Sequence, residues 1–110
     1  MGPLVFVSGQ GPLDPVENRP KGGSFAEQVH LTFRNVQAIL AGAGLSLADV
    51  VKVTVYLSDL ARVAEFNDLY AQHMPEPYPA RTLVQAGLRS IDVELDVIAA
   101  DRAHPLFRAV

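Results

Sequence analysis

The sequence predicts an α+β domain in which two helices cover one face of a mixed sheet. Three observations predict it. Residues 50–57 and 91–97 alternate apolar and polar side chains with period two, as half-buried strands do. Residues 24–44 and 61–73 repeat apolar side chains at three-and-four spacing, as half-buried helices do. The elements follow one another as strand, helix, strand, helix, strand, strand, an order that suits an open sheet with its helices on one side.

The first strand is Leu4-Val5-Phe6-Val7-Ser8, β-branched and aromatic between Pro3 and Gly9, and its early position predicts an edge. A turn-rich stretch from Gly9 to Gly23 reads as connection. Ser24-Phe25-Ala26-Glu27 is a capping box that opens the first helix. Its buried stripe is Val29, Phe33, Val36, Leu40 and Ala43, with Gln28, Arg34 and Gln37 outside it, and Gly42 and Gly44 stop it. Ser46-Leu47-Ala48-Asp49 is a further capped turn. It leads into the strongest strand, with Val51, Val53, Val55 and Leu57 on one face and Lys52, Thr54 and Tyr56 on the other. Ser58 or Asp59 caps the second helix, roughly Ala61 to His73, whose stripe is Val63, Phe66, Tyr70 and Met74. Asn67 sits at the margin of that stripe, facing water, a partner chain or a ligand. Pro75, Pro77 and Pro79 then break the helix and deliver an extended chain to Arg81. The tail from Asp101 has no period, and its Phe107 is a candidate to dock on a neighbour.

The 110 residues fit a single domain, 1–110, with 101–110 as a tail. Hydrophobic residues make up 49 % and charged residues 19 %, which excludes disorder and suggests that some apolar surface is buried between subunits. The net charge of -3 and the absence of a basic run argue against nucleic acid as a partner. With no cysteine there is no disulfide, thiolate chemistry or zinc-thiolate site. His30, His73 and His104 are far apart and lack metal-ligand spacing, so each reads as a surface or helix-end residue. With no spanning apolar run and no signal segment, a soluble cytoplasmic protein without membrane partners is expected.

The chemistry concentrates in two stretches. Pro79-Ala80-Arg81-Thr82 carries one arginine. The strand around Val93-Glu94-Leu95-Asp96-Val97 turns Asp92, Glu94 and Asp96 to one face and Ile91, Val93, Leu95 and Val97 to the other. Paired as neighbours in a hairpin, the two strands would bring Arg81 and Glu94 within reach, either as a structural ion pair or as a site holding a small carboxylic acid and a water.

Six blocks in order carry a resemblance. Val5-Phe6-Val7-Ser8-Gly9-Gln10, Asn35 with Ile39-Leu40 and Ala43-Gly44, residues 50–57, Phe66-Asn67 with Tyr70, Pro79-Ala80-Arg81-Thr82, and Val93-Glu94 with Ile98-Ala99 together resemble the YjgF/YER057c/UK114 family, also called the RidA or reactive-intermediate deaminase family. The resemblance implies a chorismate-mutase-like fold and a homotrimer with inward-facing sheets and ligand clefts between subunits. It implies that Arg81 binds a substrate carboxylate, that Glu94 positions water, that Asn67 lies near the site, and that no metal or cofactor is required. Relative to the family, the segment before Val5 is shortened, which would remove a tyrosine-bearing wall of the cleft; Leu88-Arg89 replaces a common Leu-Pro, and Asp96 replaces a glutamate.

The function expected on this basis is enamine or imine deamination, converting 2-imino acids to 2-oxo acids and ammonia. The alternative is a trimeric protein that binds a small carboxylate without hydrolysing it. RNA cleavage is disfavoured by the charge and by the lack of a recognisable histidine pair; a chaperone-like role is neither supported nor excluded.

Overall fold

The computed structural model describes residues 2–107, with the side chain of Phe107 outside that description; the docking considered for its ring therefore lies outside the described residues. The elements are β1 (Leu4–Gln10), α1 (Phe25–Gly42), β2 (Val50–Leu57), α2 (Val63–His73), β3 (Ala80–Gln85) and β4 (Val93–Ala100). One four-stranded sheet has the order β1-β4-β2-β3. β4 runs antiparallel to β1 and β2, and β3 runs parallel to β2. The mixed sheet, the two helices and the edge position of β1 agree with the sequence reading.

The expected hairpin does not form. β3 and β4 are not neighbours, because β2 lies between them. The reason is connectivity: β3 leaves α2, and a strand–helix–strand crossover returns it parallel to β2. The β3–β4 connection then passes over the end of β2, where Ala86 N–H donates to the Leu57 carbonyl (3.0 Å) and Ser58 N–H to the Asp92 carbonyl (3.1 Å). β4 is thereby free to pair on both edges, and its Val93, Leu95, Val97 and Ala99 are all buried.

Ser24 and Glu27 form the expected capping box: Ser24 Oγ accepts from Glu27 N–H (3.1 Å) and Glu27 Oε1 accepts from Ser24 N–H (3.2 Å). Val29, Phe33, Val36 and Leu40 fill the core from α1. The helix ends in a Schellman arrangement, with Leu45 N–H donating to the Leu40 carbonyl and Gly44 N–H to the Ala41 carbonyl. Gly44 has φ +75°, the left-handed conformation that glycine adopts without a side-chain clash.

Three facial assignments differ from expectation, the first being that Ala43, placed in the buried stripe of α1, is exposed at its C-cap. Gln28 is buried: its Nε2 donates to Asp92 Oδ2 (2.9 Å) and its Oε1 accepts from Asp92 N–H (2.9 Å). Ser58 Oγ donates to Asp92 Oδ1 (2.8 Å), so one carboxylate just before β4 ties α1 to the segment that leaves β2. A polar side chain tolerates burial when its donors and acceptors are met in this way. In β2, a register shift between Val50 and Lys52 turns Val50 into the core and leaves Val51 39 % exposed.

α2 follows a short 3-10 turn, Leu60–Arg62, capped by Asp59, whose Oδ1 accepts from Ala61 N–H (2.9 Å). It buries Phe66, Leu69 and Tyr70, with Met74 beyond its end; Leu69 extends the expected stripe, and Val63 is only half-buried. Among the described residues no α-helix covers the opposite sheet face, which presents Leu4, Phe6, Lys52, Thr54, Tyr56, Glu94, Asp96 and Ile98, with Phe6 71 % exposed. Among the described residues no helix is long and apolar enough to cross a membrane.

Candidate functional site

The register of the sheet decides where each chemical group points. Arg81 pairs with Val53 and Leu83 with Val55, so Arg81 extends to the helix-covered side, at the outer edge of the sheet. Glu94 pairs with Tyr56 and Asp96 with Thr54, so both acids extend to the open side. Arg81 and Glu94 therefore occupy opposite faces with β2 between their strands. The ion pair considered from the sequence does not form, and one chain does not bring the two groups together.

Arg81 is built into a half-site of its own. Its Nη2 donates to Asn67 Oδ1 (2.8 Å), and its guanidinium carbon lies 4.9 Å from the Tyr70 ring centre and 5.8 Å from that of Phe66. Stacking on aromatic faces and one side-chain acceptor hold the fork in place while leaving its charge unneutralised. Among the described residues no carboxylate lies within ion-pair distance of it. A cavity of about 270 Å³ opens beside it, lined by Asn67, Tyr70, Ala71, Tyr78, Pro79 and Arg81. The prolines that follow α2 place Tyr78 against Tyr70, with ring centres 5.9 Å apart. The Tyr70 hydroxyl is buried without a hydrogen-bond partner among the described residues. Burial pushes its pKa up, and the nearby Arg81 charge only partly opposes that.

The second half-site is on the open face. β1 slips register against β4 between Val7 and Gln10, and the slip brings the Gly9 backbone against the Glu94 carboxylate. A β-carbon on Gly9 would stand 2.7 Å from Glu94 Oε2, so any side chain there would push the carboxylate aside. The sequence reading treated Gly9 as connection; a glycine at the end of a β-branched run was the available signal of a bulge. Glu94 makes no hydrogen bond or ion pair among the described residues. Its neighbour Asp96 is engaged, accepting from Tyr56 Oη (2.9 Å), a bond that raises the Tyr56 pKa.

A third feature corrects the histidine reading. His30 on α1 and His73 on α2 are paired, with Nδ1 of one 2.7 Å from Nε2 of the other. Packing of the helices joins residues far apart in sequence, and His73 also stacks on Phe33 at 4.4 Å with the ring planes 7° apart. The lack of a histidine pair, used above against RNA cleavage, does not hold. Among the described residues no three His, Cys, Asp or Glu side chains cluster as a metal site would require.

The profile of the family described as Endoribonuclease L-PSP matches residues 1–101. The chain belongs to that family. Similar proteins include one named RutC family protein, from Pyrococcus abyssi, and one named RidA, the latter in keeping with the resemblance. The mitochondrial protein MMF1 of Saccharomyces cerevisiae is 43 % identical over 103 residues, spanning 90 % of this chain and 69 % of its own. Its crystal structure superposes with a TM-score of 0.86 at 42 % identity, covering 92 % of this chain and 82 % of that one. TdcF of Escherichia coli, whose name assigns it provisionally as a reactive intermediate deaminase, is 37 % identical over 102 residues, 90 % of this chain and 78 % of its own. A crystal structure of TdcF with bound serine has a TM-score of 0.80 at 34 % identity, covering 91 % of this chain and 82 % of that one. RidA from an Antarctic Psychrobacter species has a TM-score of 0.84 at 38 % identity, with coverage of 91 % and 82 %. These neighbours superpose over more than nine-tenths of this chain, and so share its fold.

Proposed function

We propose that the protein hydrolyses 2-imino acids to 2-oxo acids and ammonia in clefts between the subunits of a homotrimer. The observation that carries this reading is the unneutralised Arg81 guanidinium, held by Asn67 over Tyr70 at the mouth of a cavity. A planar fork so presented is a receptor for a carboxylate, the group next to the reacting carbon of a 2-imino acid. The deaminase name of TdcF and the serine bound in its crystal, a small amino acid with the same carboxylate, support the choice of substrate class.

In this reading Arg81 of one subunit fixes the carboxylate, and Glu94 of an adjoining subunit holds a water over the C=N carbon. The imine enters protonated on nitrogen, and water oxygen bonds to its carbon as Glu94 takes one water proton, leaving a neutral carbinolamine. Glu94 then returns that proton to the amine, the C–N bond breaks to release ammonia, and the hydroxyl oxygen forms the C=O bond as its own proton passes back to the Glu94 carboxylate and on to solvent. Alignment of water and carbon supplies most of the effect, since imines hydrolyse without a catalyst. The residues that would meet across the cleft are Arg81 and Asn67 from one side and Gly9 and Glu94 from the other.

The separation of Arg81 from Glu94 within a chain favours one alternative, capture of a small carboxylate without hydrolysis. A coupled assay separates the two. An amino-acid oxidase generates 2-iminopropanoate or 2-iminobutanoate, and semicarbazide competes for it. Faster loss of imine with the native chain, abolished in Arg81→Ala with the oligomer intact, supports the deaminase. No acceleration by a folded oligomer that still binds a 2-oxo acid selects the binding protein.

A further inference from the structure

A second cavity, of about 200 Å³, lies on the outer side of α1 and is lined by Lys21, Gly22, Glu27, His30, Leu31 and Arg34. It shares no lining residue with the cavity at Arg81. Its charges are unevenly used. Neither Lys21 Nζ nor the Arg34 guanidinium makes a hydrogen bond or ion pair among the described residues. The carboxylate on the same wall, Glu27, is turned to the start of the helix, where Oε1 accepts from Ser24 N–H. His30 spends Nδ1 on His73 and keeps Nε2 for another partner. Two free cations of different geometry and an imidazole nitrogen therefore border one pocket, while its acid is committed elsewhere.

We propose that this pocket binds a phosphate group, held by Arg34 and Lys21 with His30 as a third donor. A tetrahedral dianion matches that set: the guanidinium fork can engage two oxygens, the ammonium a third, and an imidazole N–H the fourth. His30 Nδ1 lies 2.7 Å from His73 Nε2, and a dianion in the pocket favours the protonated form of His73, which burial otherwise disfavours. Occupancy is thereby linked to proton uptake by His73. The charged groups around it are Lys21 from the loop, Glu27 and Arg34 from α1, and His73 from α2; the two fixed cations and Glu27 leave the pocket net positive whatever the state of the histidines. The proposal does not depend on the chemistry at Arg81.

The test uses the full chain carrying Arg81→Ala, so that the other free guanidinium does not bind the probe. Inorganic phosphate and glycerol 3-phosphate are titrated separately at pH 7.5 and low ionic strength, following the imidazole nitrogens of His30 and His73 by NMR. Saturable shifts at both rings are expected, weakened at least about fivefold by Arg34→Gln and again by adding Lys21→Gln. Both substituted side chains are exposed, so the fold is retained. Tighter binding of the ester identifies an organic phosphate, and equal binding free phosphate. Sulfate, a dianion throughout, is expected to bind more tightly at pH 6 than at pH 8. Linear shifts without saturation, or saturable shifts that Arg34→Gln leaves unchanged, overturn the proposal.

Discussion

Arg81 and Glu94 lie on opposite faces of one sheet, on strands that β2 separates. Each is free of an ion-pair partner among the described residues, and each is shaped by a different neighbour: Arg81 by the rings and Asn67 of α2, Glu94 by the bare backbone of Gly9. Two incomplete half-sites on one chain are complementary only across an interface, which makes the oligomer a condition of the proposed chemistry.

Mixed oligomers test that condition. Arg81→Ala and Glu94→Gln are each expected to abolish imine hydrolysis alone. Refolded together in equal amounts, they should recover about one quarter of native activity, because one interface in four then joins an intact Arg81 to an intact Glu94. No recovery, with mixed oligomers demonstrated by mass spectrometry, would place both groups on the same chain.

Gly9→Ala should reduce kcat at least about tenfold while leaving the fold intact. The added carbon meets a side-chain oxygen at 2.7 Å, and the carboxylate is the partner able to move. A displacement of that size in a group that orients water is enough for such a loss. Unchanged kcat in a variant with native circular dichroism would remove Gly9 and Glu94 from the mechanism.

Gln28→Leu should destabilise the chain by about 2–3 kcal/mol in urea denaturation. It deletes both bonds to Asp92, at 2.9 Å each, and leaves a half-buried carboxylate and a backbone amide short of partners. A change below about 0.5 kcal/mol would mean that water replaces the glutamine without cost.

Tyr70→Phe removes a buried hydroxyl that has no partner among the described residues, so stability should be unchanged or rise by about 1 kcal/mol. A loss of stability measured in the native oligomer would show that an adjoining subunit satisfies that hydroxyl.

The pH dependence of stability should carry the histidine pair. Burial, then the proximity of His30 and Arg34, lowers the His73 pKa below the usual value of about 6.5. The unfolded chain then takes up a proton at higher pH than the folded one. The contribution is therefore fully present above about pH 7 and is lost as pH falls through 6.5 toward the lowered folded value. His73→Gln should flatten the stability curve across that window; an unchanged slope would assign it to other groups.

What the sequence determined by itself was the local part of the structure. The Ser24–Glu27 capping box, the Val29–Phe33–Val36–Leu40 stripe, the Gly44 stop and the alternation through Val93–Val97 are read from near neighbours, because hydrogen bonds and side-chain directions within an element depend on period alone. Arg81, Asn67 and Glu94 were legible as chemistry for a related reason: a motif names groups without placing them.

Tertiary structure decided the rest. That β2 comes between β3 and β4, that Gln28 turns inward to Asp92, that His30 meets His73, and that a bulge aims Gly9 at Glu94 all depend on contacts between residues distant in sequence. Strand order follows from how the α2 crossover returns to the sheet, and a one-residue slip in register changes which face a side chain occupies. Neither leaves a periodic trace in the chain, so the groups were visible in the sequence while their separation into two half-sites was not.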